Sequence, residues 1–205
     1  MKLLEAIKNK KAGILRKMGH YFPIYDFYFE QIQDQPFNLL EIGIGRGGSL
    51  YAWRNYFPQA RITGIDINQG CKKYEGDGIR IFIGDQADTA FLERVNGETG
   101  PFDIIIDDGG HMMSQQTTSF KTLFPLLKNN GFYIIEDWHT SFMPRFLDGG
   151  GKTIDMLKGL IDGLNYWDTG KEPDYFAKNI SSLHFYNGIV FIKKGENQES
   201  KNVRF

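Results

Sequence analysis

Between residues 37 and 136, short apolar runs alternate with amphipathic segments, and this alternation constrains the fold more than any other feature. Short continuous apolar runs are typical of buried parallel strands, and amphipathic segments between them are typical of covering helices. The pattern predicts an α/β fold with a parallel sheet and helices on both faces. The predicted strands are 37–42, 61–66, 79–84, 102–107 and 131–136, and the predicted helices between them are 48–57, 68–73, 86–96 and 113–128.

The two ends of the chain follow other patterns. Amphipathic spacing predicts helices over 2–18 and 21–32, and the second of these is rich in aromatic residues. Near the C-terminal end, Asn187-Gly188 separates strand-like runs at 182–186 and 189–193, which is the strongest short signal for a β-hairpin. We therefore expect an antiparallel pair to close an otherwise parallel sheet.

The length of 205 residues suits one domain with a full core. Residues 1–35 are expected to pack as N-terminal helices at the ligand site, and 36–205 to form the main domain. A loop is predicted over 138–151 and a helix over 152–167, so that the segment 138–175 covers the carboxyl edge of the sheet as a lid.

Charge, cysteine content and the lack of long apolar segments limit the partners and the cellular location that can be expected. The 24 Lys and Arg residues nearly balance the 25 Asp and Glu residues, and there is no basic tract, so a nucleic-acid partner is not expected. The single cysteine, Cys71, cannot form an internal disulfide, which fits a reducing compartment. The sequence shows no signal peptide and no apolar segment of membrane-spanning length, so the expected location is the cytoplasm.

Two acidic clusters follow predicted strands. Asp107-Asp108-Gly109-Gly110-His111 ends the strand at 102–107, and Glu136-Asp137 ends the strand at 131–136. Ligands bind at the carboxyl edge of open α/β sheets, where adjacent strands lie roughly 5 Å apart. If these strands are neighbours, their carboxylates repel one another, and a divalent cation relieves that repulsion. The candidate metal ligands are Asp108, Glu136 and Asp137.

A glycine-rich turn joins the first predicted strand to a helix. Gly43, Gly45 and Gly48 satisfy the pattern G-x-G-x-x-G, and Asp66 follows about 20 residues later as a ribose-binding acid would. This turn fits NAD and S-adenosylmethionine about equally well. Three features favour S-adenosylmethionine. They are Glu41 before the first glycine, the terminal hairpin, and Asp85-Gln86 after the third strand, where an acid can accept from an adenine amino group.

The order E-x-G-x-G, G-I-D, G-D, D-D-x-x-H, E-D and a final hairpin resembles the class I S-adenosylmethionine-dependent methyltransferases. More narrowly, residues 16–194 are similar to the metal-dependent sugar O-methyltransferases of natural-product pathways, such as the mycinamicin and rhamnosyl O-methyltransferases. The resemblance implies a Rossmann-like, mostly parallel seven-stranded sheet with a C-terminal antiparallel hairpin. Larger members carry an additional N-terminal domain that helps to assemble a tetramer, so a homo-oligomer is left open for this chain.

The resemblance also implies site residues by position. His20 follows Gly19 in an element where members carry a tryptophan at the position of Met18, and Gly110 replaces a serine of the Asp-Asp-Gly-Ser-His element. Asp107, Asp108 and His111 match that element, and Glu136 and Asp137 match a Glu-Asp pair. The implied cofactor-binding residues are Glu41, Gly43, Gly45, Ser49, Asp66, Asp85, Gln86, Asp107 and His20.

The chemistry expected of these residues is methyl transfer to an oxygen. A sugar hydroxyl is a poor nucleophile at neutral pH, and bound Mg²⁺ can act on it as a Lewis acid and orient a vicinal diol. His111, three residues past Asp108, is the candidate general base. His139 is the candidate for a hydrogen bond on the substrate side.

The sequence thus predicts an S-adenosylmethionine-dependent O-methyltransferase whose acceptor is a small molecule, a sugar or a glycosylated metabolite. An NAD-dependent oxidoreductase or epimerase is the first alternative, but a Tyr-x-x-x-Lys dyad is missing at Tyr28, Tyr51, Tyr74 and Tyr133. A non-catalytic cofactor-binding protein is the second alternative, and Gly110 in place of serine is the argument for it. The third alternative keeps the reaction and changes the acceptor to a phenolic or lipid hydroxyl.

Overall fold

Seven strands form a single sheet in a computed structural model that describes residues 1–8, 14–170 and 172–199. The strands are β1 (Asn38–Ile42), β2 (Arg61–Asp66), β3 (Ile79–Ile83), β4 (Ile104–Asp107), β5 (Phe132–Glu136), β6 (Ile180–Phe185) and β7 (Ile189–Lys194). Their order across the sheet is β3-β2-β1-β4-β5-β7-β6. The first five strands are parallel, and β7 pairs antiparallel with both β5 and β6.

The helices connect the strands and follow the bounds that local sequence signals set. Asp88, for example, caps the helix after β3 by accepting a hydrogen bond from the backbone N–H of Phe91 at 3.1 Å. The α-helices are α1 (Leu3–Lys8), α2 (Tyr21–Phe29), α3 (Gly48–Tyr56), α4 (Thr89–Thr99), α5 (Met113–Leu123), α6 (Thr153–Leu164), α7 (Tyr166–Thr169) and α8 (Tyr175–Asn179). Short 3₁₀ segments are Glu30–Ile32, Gln69–Tyr74, Trp138–Phe142 and Pro144–Phe146.

Side chains alternate along the central strands and build one apolar layer on each face of the sheet. Leu39 and Ile106 belong to the layer packed against α1, α2 and α3, whereas Leu40 and Ile105 belong to the layer packed against α4, α5 and α6. Burial of a large apolar side chain contributes about 1.5–3 kcal/mol, so these layers supply most of the driving force for folding. The predicted parallel sheet, covered on both faces and closed by an antiparallel hairpin, is confirmed.

The strand order reverses between β1 and β4, because β1 pairs with β2 on one side and with β4 on the other. Such a switch point opens a crevice beyond the carboxyl ends of the strands. Ile42 lies beside Asp107 across β1 and β4, and Asp107 lies beside Ile135 across β4 and β5. The predicted ligand edge and the acidic strand ends therefore coincide.

The prediction of one helix over 2–18 is wrong. The helix α1 covers Leu3–Lys8, residues 9–13 lie outside the described residues, and 14–18 have no helical structure. The reason is a tertiary contact. The backbone at Ile14 and Leu15 crosses the start of α3 so closely that a Cβ on Gly48 would lie 2.6 Å from the Leu15 nitrogen.

Other predicted bounds shift for local reasons. The helix predicted over 113–128 ends at Leu123, and Pro125, which has no backbone N–H to continue the helical hydrogen bonds, follows two residues later. The segment predicted as a helix over 68–73 is a 3₁₀ helix, and the loop predicted over 138–151 contains two 3₁₀ segments. Among the described residues, no helix combines the length and apolar character needed to cross a membrane.

A buried aspartate on α2 fixes the N-terminal helices to the rest of the fold. The Oδ1 atom of Asp26 accepts hydrogen bonds from the backbone N–H of Leu3 at 2.9 Å and from the Tyr56 hydroxyl at 2.8 Å. Leu3 begins α1 and Tyr56 ends α3, so this one carboxylate joins three helices.

We predict that Asp26→Ala lowers the free energy of unfolding by about 1–3 kcal/mol, because it leaves buried donors without an acceptor. Chemical denaturation followed by circular dichroism measures this change. Asp34→Ala is the matched control, since Asp34 is exposed. Equal stability of the two variants would contradict the anchoring role.

Candidate active site

The two acidic clusters meet beyond the carboxyl ends of β4 and β5. Asp107 ends β4 and Glu136 ends β5, so that Asp108 and Asp137 are the first residues beyond the strands. His111 and Asp137 adopt left-handed backbone conformations, with φ of 58° and 54°. Non-glycine residues adopt this conformation only where the surrounding structure enforces it, and such residues concentrate at functional sites.

Asp108, His111 and Asp137 form a group that could hold a metal ion. One ligand atom from each of these side chains lies within 4.8 Å of the others. The Nε2 atom of His111 lies 3.9 Å from Asp108 Oδ1 and 3.7 Å from Asp137 Oδ2. All three side chains are partly exposed, so an ion or a substrate can reach them from solvent.

Glu136, also predicted as a metal ligand, lies deeper. Its side chain is 1% exposed, and its Oε1 atom accepts hydrogen bonds from the Tyr25 hydroxyl at 2.5 Å and from Lys17 Nζ. The Tyr21 hydroxyl donates to Asp137 Oδ1 at 2.7 Å. Two tyrosines of α2 thus fix the orientation of the Glu-Asp pair. The assignment of Glu136 to a metal stays a prediction.

Lys17 is the site residue that the sequence analysis missed. Its Nζ atom lies 3.0 Å from Asp108 Oδ2 and 4.0 Å from Glu41 Oε1, in addition to its contact with Glu136. The Lys17 side chain is 2% exposed. No local pattern marks this lysine among its basic neighbours, and the helix predicted over 2–18 hid the irregular backbone that brings it to the strand ends.

One ammonium cannot balance the two buried carboxylates of Glu41 and Glu136 together with the partly exposed Asp108, and the pKa values reflect this. Burial raises the pKa of the Glu41 carboxyl to about 7 and that of Glu136 to about 8, with Asp108 adding to the rise and Lys17 opposing it. Burial by itself would lower the pKa of Lys17, but Asp108, Glu136 and Glu41 together raise it above its usual value. The cluster therefore favours a further positive charge.

Two adjoining cavities of about 250 Å³ and 300 Å³ lie along the glycine-rich turn. Gly43, Gly45 and Asp108 line both of them, Asp66 and Asp85 line the smaller, and Ser49 lines the larger. A Cβ on Gly45 would meet open space, and the residue has a φ of 49°. The turn thus presents bare backbone to a ligand, as the predicted cofactor site requires.

Asp66 holds the turn in place while one face of it borders the cavity. Its Oδ2 atom accepts from the Gly45 N–H at 2.9 Å, and its Oδ1 atom accepts from the Asn68 N–H at 2.8 Å. Asp85 accepts from the Ala87 N–H at 2.8 Å. Contact of either acid with a ribose or an adenine remains a prediction.

Two other predicted cofactor residues, Gln86 and Asp107, form hydrogen bonds within the protein. Gln86 donates to Asp107 Oδ1 at 3.1 Å and accepts from the Gly110 N–H at 2.8 Å. Asp107 is fully buried and also accepts from the hydroxyls of Ser119 and Tyr133. These bonds fix the turn that carries Asp108 and His111.

Glu41, a third predicted cofactor residue, also forms a hydrogen bond within the protein, but among the described residues only one of its two carboxylate oxygens is bonded. Its Oε1 atom accepts from the Trp53 indole N–H at 3.1 Å, while its buried Oε2 atom has no hydrogen-bond partner in the described part of the chain. Direct cofactor contact by Glu41, Gln86 and Asp107 stays a prediction.

His20 and His139 lie at the hairpin turn. The Nε2 atom of His20 is 2.8 Å from the carbonyl oxygen of Asn187, and His139 Nδ1 is 4.0 Å from Asp137 Oδ1. A Cβ on Gly188 would lie 2.4 Å from the Tyr21 hydroxyl and 3.2 Å from His139 Nδ1. The glycine of the predicted Asn-Gly turn therefore allows close packing against Tyr21 and His139, the neighbours of Asp137.

A larger cavity, of about 590 Å³, lies elsewhere, between α5, α6 and α8. Phe120, Met156, Leu160 and Phe176 contribute to its mainly apolar lining. None of the site residues predicted from sequence lines it. The volume of a cavity alone therefore does not identify the candidate active site.

Several known proteins are similar to this chain. No protein-family model matches the chain. An 8-demethyl-8-(2-methoxy-alpha-L-rhamnosyl)-tetracenomycin-C 3'-O-methyltransferase of Streptomyces olivaceus is 41% identical over 204 residues, covering 89% of this chain and 51% of that protein. A mycinamicin VI 2''-O-methyltransferase of Micromonospora griseorubida is 39% identical over 202 residues, covering 88% of this chain and 49% of that protein. The chain spans about half the length of these curated relatives.

The chain is also similar to a methyltransferase of known structure. The MycE methyltransferase from the mycinamycin biosynthetic pathway, in complex with Mg, SAH and mycinamycin VI, superposes with a TM-score of 0.88 at 36% identity, over 97% of this chain and 55% of that one. The chain has the class I methyltransferase fold and is a homologue of these sugar O-methyltransferases. The predicted fold class and the predicted family resemblance are confirmed.

The stability of the folded chain should depend on pH, and Glu41 should contribute to this dependence. Its pKa in the folded protein is raised from the ordinary 4.5 to about 7, so the folded state holds this proton more tightly than the unfolded chain does. The free energy of unfolding therefore falls as the pH rises through this range.

We predict that Glu41→Gln reduces the fall in stability between about pH 5 and about pH 7 by about 2 kcal/mol, since one pKa unit corresponds to about 1.4 kcal/mol. Urea denaturation at a series of pH values, with divalent cations chelated, measures the slope. Glu93→Gln removes an exposed carboxylate and should leave the slope unchanged. The same slope in the Glu41 variant and the wild type would contradict the raised pKa.

Proposed function

We propose that the chain transfers a methyl group from S-adenosylmethionine to a hydroxyl of a sugar carried by a small molecule, with the help of a divalent metal. The observation that carries the proposal is the position of Asp108. It belongs to the group of possible metal ligands and also lines both cavities along the glycine-rich turn. A metal-binding group and a nucleotide-type cavity thus share one residue.

The residues present fit both groups. Carboxylate oxygens of Asp108 and Asp137 suit Mg²⁺, a hard cation. Glu136 lies beside them, in a cluster with Glu41 and Asp108 whose negative charge Lys17 balances only in part. The two cavities, of about 250 Å³ and 300 Å³, together have a size common for small-molecule sites, and the bare turn at Gly45 admits close approach. Relatives named as sugar O-methyltransferases, and MycE with Mg and SAH, support the same pair of groups.

When bound, S-adenosylmethionine supplies an electrophilic methyl group, and the metal supplies Lewis acidity toward the acceptor hydroxyl. The chain itself supplies position and a proton acceptor. In this proposal the carboxylates of Asp108 and Asp137 hold the metal and His111 is not a ligand, so that its Nε2 atom, 3.7 Å from Asp137 Oδ2 and 3.9 Å from Asp108 Oδ1, is free to take the hydroxyl proton. Both carboxylates then stabilise the imidazolium that forms.

The acceptor class rests on the relatives and on the chemistry of the group. Vicinal hydroxyls of a sugar can approach Asp108, Asp137 and His111 together, because all three are partly exposed at one edge. His139 borders this edge through Asp137 and is proposed as a hydrogen-bonding group for the acceptor. Transfer from labelled S-adenosylmethionine to rhamnosylated small molecules tests the proposal, with a phenol and a lipid alcohol as competing acceptors. Transfer to the phenol or the lipid alone would replace the sugar by another acceptor.

A binding experiment separates this function from the other enzyme class. Calorimetric titration of S-adenosylhomocysteine should release heat, followed by further heat from Mg²⁺ added to the saturated complex. Binding of NADH in place of S-adenosylhomocysteine would overturn the proposal.

We predict that Asp137→Asn and His111→Asn each reduce turnover by roughly 10²–10⁴-fold, the range expected when a positioned acid–base group is lost. Asparagine is chosen because it adopts the left-handed backbone that both positions require. The affinity for S-adenosylhomocysteine should stay near that of the wild type. Asp77→Asn is the matched control, since Asp77 is exposed and also has a positive φ. Normal turnover by the Asp137 variant would remove the metal from the mechanism.

A separate prediction concerns the cofactor. Asp66→Ala should weaken binding of S-adenosylhomocysteine roughly 10-fold or more, since a hydrogen bond to a charged group contributes about 1.5–3 kcal/mol. Asp66→Asn keeps an oxygen for one of the two N–H groups, that of Gly45 or that of Asn68, and should lose less than the alanine variant. Calorimetry on both variants checks the order, and equal affinities across the series would exclude Asp66 from the cofactor site.

A further inference from the structure

The Lys17 ammonium divides the carboxylates of the site into two sets of oxygen atoms. Its Nζ atom contacts Asp108 Oδ2 at 3.0 Å and Glu136 Oε1, and lies 4.0 Å from Glu41 Oε1. The opposite oxygen of Asp108, Oδ1, lies near His111 Nε2, as does Asp137 Oδ2. Asp108 therefore gives one oxygen to the ammonium and keeps the other for the exposed side.

The ammonium is enclosed by protein. The rings of Tyr25 and Trp53 each lie 5.8 Å from Nζ, at the distance of cation–π contacts. These same two side chains donate to the carboxylates that Lys17 contacts, Tyr25 to Glu136 and Trp53 to Glu41. With 2% of the side chain exposed, the lysine is part of the interior and not a mobile surface group.

We propose that Lys17 is a positioning residue that acts as a fixed second cation of the active site. It holds one inner oxygen each of Asp108 and Glu136, so that a divalent ion is left with the carboxylate oxygens that the ammonium does not contact, among them Asp108 Oδ1 and Asp137 Oδ2 beside His111. This inference rests on the function proposed above. It gives Lys17 a role in placing the ion that neither the sequence motifs nor the group of candidate ligands includes.

The role has an electrostatic consequence with a definite sign. A fixed ammonium in contact with a carboxylate that also faces the metal repels a divalent cation there. Replacing Lys17 by methionine removes the charge and keeps most of the side-chain volume. The affinity for Mg²⁺ should therefore rise by roughly 10-fold or more, given the size of Coulomb interactions at these distances. Turnover should fall, because the ion is then drawn toward the inner oxygens and away from His111.

The test is calorimetric titration of Mg²⁺ into wild type, Lys17→Met and Lys17→Arg, each saturated with S-adenosylhomocysteine, with the Mg²⁺-induced shift in melting temperature as a second readout. We expect tighter Mg²⁺ binding and a larger shift in the methionine variant, and values near the wild type in the arginine variant, which keeps the charge. Lys128→Met is the control, since it removes an ammonium from an exposed ion pair with Asp103. It should leave the Mg²⁺ affinity unchanged.

The outcomes separate this inference from the proposed function. Unchanged or weaker Mg²⁺ binding in Lys17→Met, with normal binding by the wild type, would overturn the role of Lys17 and leave the function standing. Binding by the variant but not by the wild type supports the inference, and binding by neither overturns both. If Lys17→Met does not fold, the double variant Lys17→Met/Glu41→Gln removes one buried charge of each sign. The same rise in Mg²⁺ affinity is required of it.

Discussion

The contact of one buried ammonium with three carboxylates is the interaction on which the candidate active site depends. Glu41, Asp108 and Glu136 converge because β1, β4 and β5 are adjacent and end at the same edge of the sheet. Such carboxylates in a buried volume repel one another strongly, and Lys17 compensates only part of their charge. The remaining negative potential would favour the divalent cation proposed to bind beside Asp137.

The N-terminal region supports the site in the same way. The helix α2 directs the hydroxyls of Tyr21 and Tyr25 at Asp137 and Glu136, and Asp26 on the same helix binds α1 and α3. Hydrogen bonds to carboxylates that could ligate a metal fix their orientation and thereby tune the site. Lys17, Tyr21 and Tyr25 therefore belong to the candidate active site as much as the strand ends do.

The sequence was sufficient for features that local patterns encode. Apolar runs located the strands to within about two residues, and the acids that follow β4 and β5 were placed correctly because strand ends dictate the position of what comes next. Lys17 could not be found in this way, since its partners Asp108 and Glu136 lie 91 and 119 residues away. The hydrogen bond between Gln86 and Asp107 could not be predicted from the sequence for the same reason. An acid or amide at a strand end looks alike in sequence whether it faces a ligand or a neighbouring turn.

The terminal hairpin has a structural role that its sequence signal does not reveal. The β7 strand pairs antiparallel with β5 and places Ile189 beside Glu136, so the preceding turn must pass over the acidic pair. Gly188 makes this possible, because any Cβ there would collide with the Tyr21 hydroxyl that Asp137 binds. The turn therefore closes one side of the site, while the backbone at Ile14 and Leu15, crossing Gly48, closes the other. The absence of a side chain at Gly188 and at Gly48 thus lets the hairpin turn and the N-terminal backbone pack closely beside the strand ends.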